Sequence, residues 1–176
     1  RPAGALPVKA PTVCPSCGSP LHRDGAFLRC ESAECPAQAA ERLEHWVSRG
    51  ALDIDGMGPK VIEALAAAGK LRDVVDYYAL REDELAQLKR GEETNADGSE
   101  RVLGAKNAAK IIAQINASKE QPFSSVLFGL GIRNIGKTTA EALAKAFGNI
   151  DALMKAGVDA LCQVDGIGEV VAQSVV

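Results

Sequence analysis

Apolar residues recur at helical spacing through most of the chain after residue 36. Residues 37–49, AQAAERLEHWVSR, predict a helix with Pro36 in its first turn and Gly50 just beyond its end. Residues 141–148, EALAKAFG, read as an amphipathic helix as well. Short breaks marked by glycine or proline separate the helical segments, so the pattern predicts a mostly α-helical chain.

One glycine-containing turn recurs four times, each time directly before an apolar stripe. The segments DGMGPKVIEAL, RVLGAKNAAKII, RNIGKTTAEAL and DGIGEVVAQSV align on one glycine, and an isoleucine or alanine follows four residues later. Further apolar residues come three and four positions beyond that, which predicts a helix after each turn. The aligned glycines are Gly58, Gly104, Gly136 and Gly168, and the residues four positions later are Ile62, Ala108, Ala140 and Ala172.

The spacing of the aligned glycines supports a true structural repeat. Gly104, Gly136 and Gly168 follow one another at intervals of 32 residues, whereas Gly58 precedes Gly104 by 46. The surplus of 14 residues falls in KRGEETNADGSERV, residues 89–102, which is polar and contains glycine. We therefore predict four copies of one helical unit, with a surface loop inserted into the second.

The turns have features of phosphate-binding sites. Glycine allows close approach to the backbone, and a helix N-terminus presents unpaired N–H groups that favour anions. The alternative is a purely structural turn, and Arg133 could cap the preceding helix instead. The second copy has Val102 in place of the first glycine, and the fourth has Glu169 where others have lysine. The predicted contact residues are Gly56, Gly58, Lys60, Gly104, Lys106, Gly131, Arg133, Gly136, Lys137, Gly166 and Gly168.

Four of the five cysteines form a pattern typical of a metal site. Cys14, Cys17, Cys30 and Cys35 are spaced C-x2-C-x12-C-x4-C, with turn-forming proline and glycine between them. Two close pairs suit tetrahedral zinc, and four thiolates leave no open position, so the zinc would be structural. Two disulfides are the main alternative. His22 could also be a ligand, although the four cysteines already satisfy the ion.

Composition and charge limit how the chain could bind nucleic acid. Hydrophobic residues make up 47% of the 176 residues but aromatic residues only 4%, which favours small, closely packed helices. The net charge of -3 argues against a polybasic binder, so DNA contacts would depend on local basic residues and backbone amides. We see no apolar stretch of membrane-spanning length and expect no membrane partner.

The turn resembles the helix-hairpin-helix module, in which backbone N–H groups of the hairpin and following helix hold a DNA phosphate. A four-cysteine site followed by four such modules is similar to the C-terminal half of bacterial NAD-dependent DNA ligases. Residues 45–58, HWVSRGALDIDGMG, and 128–136, FGLGIRNIG, resemble characteristic stretches of that family. The opening RPAGALPVKAPTVCPSCGSPL resembles the exit from its oligonucleotide-binding barrel.

The resemblance implies a function in sealing nicks in duplex DNA. In that family a lysine in a Lys-x-Asp-Gly string is adenylated by NAD, and the zinc finger joins the barrel to a domain that grips the minor groove. Here the residues two before each Asp-Gly are His22, Asp53, Asn95 and Gln163. We therefore predict no catalytic or NAD-binding residue in this chain. NAD and Mg²⁺ would act through catalytic domains absent from it.

The resulting prediction is a mostly α chain: a linker at 1–9, a zinc finger at 10–36 and a helix-hairpin-helix domain at 37–176, truncated at its end. We expect it to be a piece of a longer protein. Its expected partners are nicked double-stranded DNA and other domains of the same chain, in a monomer in the bacterial cytoplasm, associated with the nucleoid. Two alternatives stay open: a zinc-containing module of a repair nuclease, and a protein-interaction scaffold that never contacts DNA.

Overall fold

The computed structural model describes residues 9–32, 35–94 and 100–176. The predicted linker at 1–9 therefore lies almost entirely outside the described residues, and the predicted domain limits stay a prediction. The chain divides between Ala40 and Glu41 into two compact units. Within the described residues no helix is both long and apolar enough to cross a membrane.

The described elements are mostly helical, as the sequence predicts. The strands are β1 (Leu21–Asp24), β2 (Phe27–Cys30), β3 (Lys89–Thr94) and β4 (Glu100–Val102). The helices are α1 (Pro36–Val47), α2 (Pro59–Ala67), α3 (Glu82–Ala86), α4 (Ala105–Ser118), α5 (Phe123–Gly129), α6 (Lys137–Phe147), α7 (Ile150–Met154), α8 (Val158–Cys162) and α9 (Glu169–Val175), with a 3₁₀ helix at Val74–Ala79.

The first unit is built around two tight turns. β1 and β2 pair antiparallel, and the turn between them uses Gly25 at φ +58°. Ahead of this hairpin, Cys14 N donates to Ser19 O at 2.8 Å, and Gly18 N donates to Cys14 O at 2.8 Å. These bonds fold the first cysteine pair into a compact knuckle.

The second unit contains the four predicted copies, each a helix, a turn and a second helix. The leading helices are α1, α3, α5 and α8, and the helices after the turns are α2, α4, α6 and α9. Between the first and second copies lies the 3₁₀ helix, and between the third and fourth lies α7. The predicted fold class, mostly α with helix-hairpin-helix repeats, is confirmed.

Two hydrophobic cores organise the four copies into two pairs. The first core joins copies one and two, and the second core joins copies three and four. The residue four positions after each aligned glycine is buried in these cores, because it begins the apolar stripe of its helix. The four residues are Ile62 and Ala108 in the first core and Ala140 and Ala172 in the second.

Within each pair, the turn of the first copy contacts the last helix of the second. A Cβ at Gly56 would lie 2.9 Å from Cγ1 of Ile111 on α4. In the other pair, Asn134 Nδ2 donates to Ser174 Oγ on α9 at 3.0 Å. Ile111 and Ser174 lie seven and six residues after their aligned glycines, so the two pairs are built alike.

The inserted segment at 89–102 differs from the predicted loop. It forms β3 and β4, which pair antiparallel with an irregular register, while residues 95–99 lie outside the described part. The insert is closed at its base, because Leu103 N donates to Leu88 O at 2.9 Å. Main-chain pairing thus orders a polar segment that has no apolar periodicity.

Candidate metal centre and nucleic-acid interface

The four predicted metal ligands come together in the first unit. The Sγ atoms of Cys14, Cys17, Cys30 and Cys35 all lie within 4.8 Å of one another. Cys14 and Cys35 Sγ are 3.9 Å apart, and Cys17 and Cys30 Sγ are 3.5 Å apart. A disulfide needs about 2.05 Å between sulfurs, so these cysteines are not paired as disulfides.

The electrostatics of the four thiols favour a bound cation. A hydrogen bond from the Ser19 side chain, with one from its backbone amide, lowers the pKa of Cys17 to about 6. Backbone amides of Gln38 and Ala37, in the first turn of α1, contribute to a lowered pKa of Cys35. At Cys30 a backbone bond from Ser32 lowers the pKa, but desolvation and the neighbouring thiols outweigh it and raise the pKa to about 12. Four adjacent thiolates therefore need a positive ion between them.

The donor set fits a tetrahedral metal. Zn–S bonds of about 2.3 Å place the sulfurs of a tetrahedral site about 3.8 Å apart, close to the distances found here. Cys14 and Cys35 are buried, which shields the centre of the cluster from water. With four sulfur ligands no position remains for a reacting group, so the site can stabilise the finger but not catalyse.

Each turn of the helical unit contains a buried apolar residue directly before the aligned glycine. This side chain reaches into one of the two cores and fixes the turn to the helices beneath it. Our sequence analysis did not use this position, although the apolar residue recurs in all four aligned segments and could have been found there. The four residues are Met57, Leu103, Ile135 and Ile167.

The residue two positions before the aligned glycine takes positive φ in three copies. Gly56 has φ +95°, Asn134 has φ +64° and Gly166 has φ +79°. In the third and fourth copies a bond from the next residue closes the turn, as Ile135 N donates to Ile132 O at 3.0 Å. Turns with positive φ at their third residue require glycine or asparagine there.

Gly131 is therefore not the structural counterpart of Gly56. It lies just after α5 with φ +65°, and its N–H donates to Phe128 O at 3.1 Å, which is a helix-ending position. The equivalent position in the third copy is occupied by Asn134. A contact of Gly131 with DNA stays a prediction.

All four helices after the turns begin at a glycine N-cap, with no capping side chain. Gly58 and Gly136 have φ −76° and −85°, values open to any residue, and a Cβ on either would meet nothing within 4 Å. Gly168 is similar, whereas Gly104 has φ +82°. At Gly58 and Gly136 neither conformation nor internal packing requires glycine, which leaves room for an external group beside the helix N-terminus.

Charge at these N-termini is opposite to what an isolated helix favours. The first turns of α2, α4 and α6 contain no acidic residue, and instead carry Lys60, Lys106 and Lys137. A lysine there opposes the helix dipole unless an anion binds nearby. The fourth copy differs, because Glu169 begins α9 and its carboxylate accepts a bond from Gln173. Three of the four N-termini are thus suited to an anion.

The predicted contact residues lie mostly at the surface. Gly104 is half-buried, and the other ten are exposed. The structure gathers them at four turns rather than at a single point. Beside the first turn, Lys110 Nζ lies 2.5 Å from Asp55 Oδ2 and lowers the pKa of that carboxyl. The negative charge of this turn is thereby balanced within the protein.

Comparisons with known proteins agree with this architecture. The helix-hairpin-helix motif matches residues 125–176, which hold the third and fourth copies. The DNA ligase of Rubrobacter xylanophilus is 45% identical over 170 residues, 96% of this chain and 23% of that protein. The DNA ligase of Synechococcus sp. strain WH7803 is 42% identical over 179 residues, 99% of this chain and 24% of that protein. The chain fits the C-terminal portion of a DNA ligase.

The predicted family resemblance is therefore confirmed. The chain spans about a quarter of the length of these DNA ligases, so only that share of the ligase sequence is compared. The four-cysteine cluster and the helix-hairpin-helix motif are present as predicted. The identity of the metal and the individual DNA contacts stay predictions.

Proposed function

We propose that this chain is a sequence-independent duplex-binding segment of an NAD-dependent DNA ligase. It holds nicked DNA through phosphate and minor-groove contacts, while catalytic domains elsewhere in the parent protein seal the nick. NAD and Mg²⁺ belong to those domains. The four-cysteine site binds structural zinc, and the parent protein acts as a monomer in replication and repair in the bacterial cytoplasm.

The glycine N-caps of α2 and α6 carry this proposal. Both have ordinary φ values, open space around the missing Cβ, no capping side chain and no acidic residue in the first turn. A DNA phosphate would supply the missing acceptor for the free amides of the first turn, and the neighbouring lysines would add charge. Contacts of this kind recognise the DNA backbone and are independent of base sequence.

Arrangement in two pairs supports contact with both strands. Each pair has its own core and presents two turns, so one pair can follow each sugar–phosphate strand of the duplex. Minor-groove binding depends on backbone shape more than on base identity, which suits a protein that must accept any nick.

The proposal is tested by reversing charge at the turns. A triple variant, Lys60→Glu, Arg133→Glu and Lys137→Glu, should weaken binding to a nicked duplex by about a hundredfold or more, and should make the slope of log K against log salt about three units less negative. Fluorescence anisotropy with labelled DNA at several salt concentrations measures both quantities.

A matched control carries the same charge change away from the turns. Lys119→Glu, Lys145→Glu and Lys155→Glu alter the ends of α4, α6 and α7, and this triple variant should keep most of the affinity. Equal losses in the two variants would mean that only overall charge matters. A parent chain with no salt-dependent DNA binding would favour the protein-interaction scaffold.

A further inference from the structure

Two stretches far apart in sequence meet inside the helical unit. Nε2 of His45, on α1, donates to the carbonyl oxygen of Phe128, on α5, at 2.8 Å. The two rings also contact edge to face, with centroids 4.7 Å apart and an angle of 61°. Both residues lie in the stretches that carry the family resemblance, 45–58 and 128–136. We call residues 45–52 and 128–131 together the joint.

Glycines make the joint unusually close. A Cβ at Gly129 would lie 2.9 Å from Leu52 Cδ2 and 3.1 Å from Trp46 Cε3. On the other side, a Cβ at Gly50 would lie 2.9 Å from Phe128 Cε1. Neither glycine has positive φ, so close packing, and not backbone conformation, explains why glycine is present.

The joint lies where the two cores meet. Trp46 and Leu52 belong to the first core, while Leu127 of α5 is fully buried in the second. Phe128 packs against both cores. The short helix α5 therefore contacts the pair of copies that precedes it and the pair that it begins.

We propose that the joint fixes the orientation of the two pairs of turns, so that both pairs can bind the same duplex at once. This inference rests on the proposed function. If both pairs are held in the bound arrangement beforehand, binding does not have to order them, and affinity rises without any additional contact to DNA. His45, Gly50, Phe128 and Gly129 are then positioning residues, since they act through the turns and do not touch the ligand.

Gly129→Ala tests this inference. Alanine suits the helix α5 better than glycine does, so any loss must come from the clash with Leu52 and Trp46, which pushes the two pairs apart. Gly157→Ala is the matched control, because Gly157 has φ −86° and open space at its Cβ, and lies outside the predicted turns. Binding of a nicked duplex is measured against salt for the 176-residue chain with its metal bound.

The expected result is a change in salt slope. If the chain contacts about six phosphates, its slope is about −5, and a variant that engages one pair at a time should show about half of that, with at least tenfold weaker binding. Loss of stability alone cannot produce this result, because a partly unfolded population scales the affinity by a factor that does not depend on the phosphate count. Hydrogen exchange should show both cores still protected.

The outcomes separate the two proposals. A parent chain that binds with a steep slope, together with an unchanged slope for Gly129→Ala, overturns the role of the joint and leaves the proposed function intact. A parent chain without salt-dependent binding overturns both. If Gly129→Ala does not fold, His45→Phe decides, because it keeps the ring and removes only the bond to the Phe128 carbonyl. An unchanged slope in that variant also overturns the inference.

Discussion

At the scale of single residues, the turns contain two positions with different requirements. The residue two before the aligned glycine must take positive φ, which explains Gly56, Asn134 and Gly166. The aligned glycine itself has ordinary φ in three of the four copies. The first position is glycine or asparagine for conformational reasons, while the second leaves space beside a helix N-terminus.

Gly136→Asp should therefore stabilise the protein but weaken DNA binding. An aspartate at this N-cap would accept bonds from the first-turn amides and interact well with the helix dipole, which should raise the free energy of unfolding by about 0.5–1 kcal/mol. The same carboxylate would repel a phosphate, so affinity for nicked DNA should fall by about tenfold or more. Urea denaturation and anisotropy measure the two effects.

Gly157→Asp is the control, since Gly157 is the N-cap of α8 with similar backbone angles and open space. It should give comparable stabilisation and leave DNA binding unchanged. If Gly136→Asp binds DNA as tightly as the parent chain, the N-terminus of α6 does not contact phosphate.

Asn134 allows a second prediction at this scale. Asn134→Ala should lower the free energy of unfolding by about 1 kcal/mol, because alanine is strained at φ +64°. Asn134→Gly should stay within about 0.5 kcal/mol of the parent chain. Ser174→Ala removes the partner of the Asn134 side chain and isolates that bond. Equal urea midpoints for the alanine and glycine variants would show that backbone conformation is not what selects asparagine.

At the scale of elements, the finger has little besides its metal to hold it together. β1 and β2 have four residues each, and Phe27 and Leu28 are exposed, so the first unit buries little apolar surface. Binding of structural zinc to small domains contributes about 10–16 kcal/mol, which is larger than any other stabilising interaction available to this unit.

Removal of the metal should therefore unfold the finger selectively. A chelator should speed hydrogen exchange in residues 9–32, while residues buried in the two helical cores keep their protection. Cys17→Ser should abolish stoichiometric metal binding, whereas the control Cys162→Ser should keep it, because Cys162 packs beside the second core. Metal analysis by mass spectrometry and exchange measurements test this. Unchanged exchange in the finger after chelation would contradict it.

Elements with a periodic pattern were predictable from the sequence. The apolar stripes after Gly58, Gly104, Gly136 and Gly168 gave the four helices, and the spacing of the cysteines gave their cluster. The strands β3 and β4 were not predictable, because their residues are polar and their order comes from main-chain pairing. Asn134 was missed as the positive-φ residue, since alignment on glycine drew attention to Gly131 instead.

At the scale of the whole molecule, the two cores explain how a chain with net charge −3 could bind a polyanion. The copies are held as two similar pairs, so local donors and lysines recur at several places while acidic residues lie elsewhere. The sequence predicted the pairing of copies but not the joint between pairs. His45 and Phe128 are 83 residues apart, and no local pattern in a single sequence reveals such a contact.

The closed base of the insert has a consequence for how the repeat is measured. Leu88 and Leu103 meet through their main chains, so the polypeptide leaves the helical unit and returns to it at one place. A path that steps across that hydrogen bond bypasses the 14 residues from 89 to 102, and the distance from the first aligned glycine to the second then equals the other two intervals. Followed through space instead of along the backbone, the fourfold period has no exception.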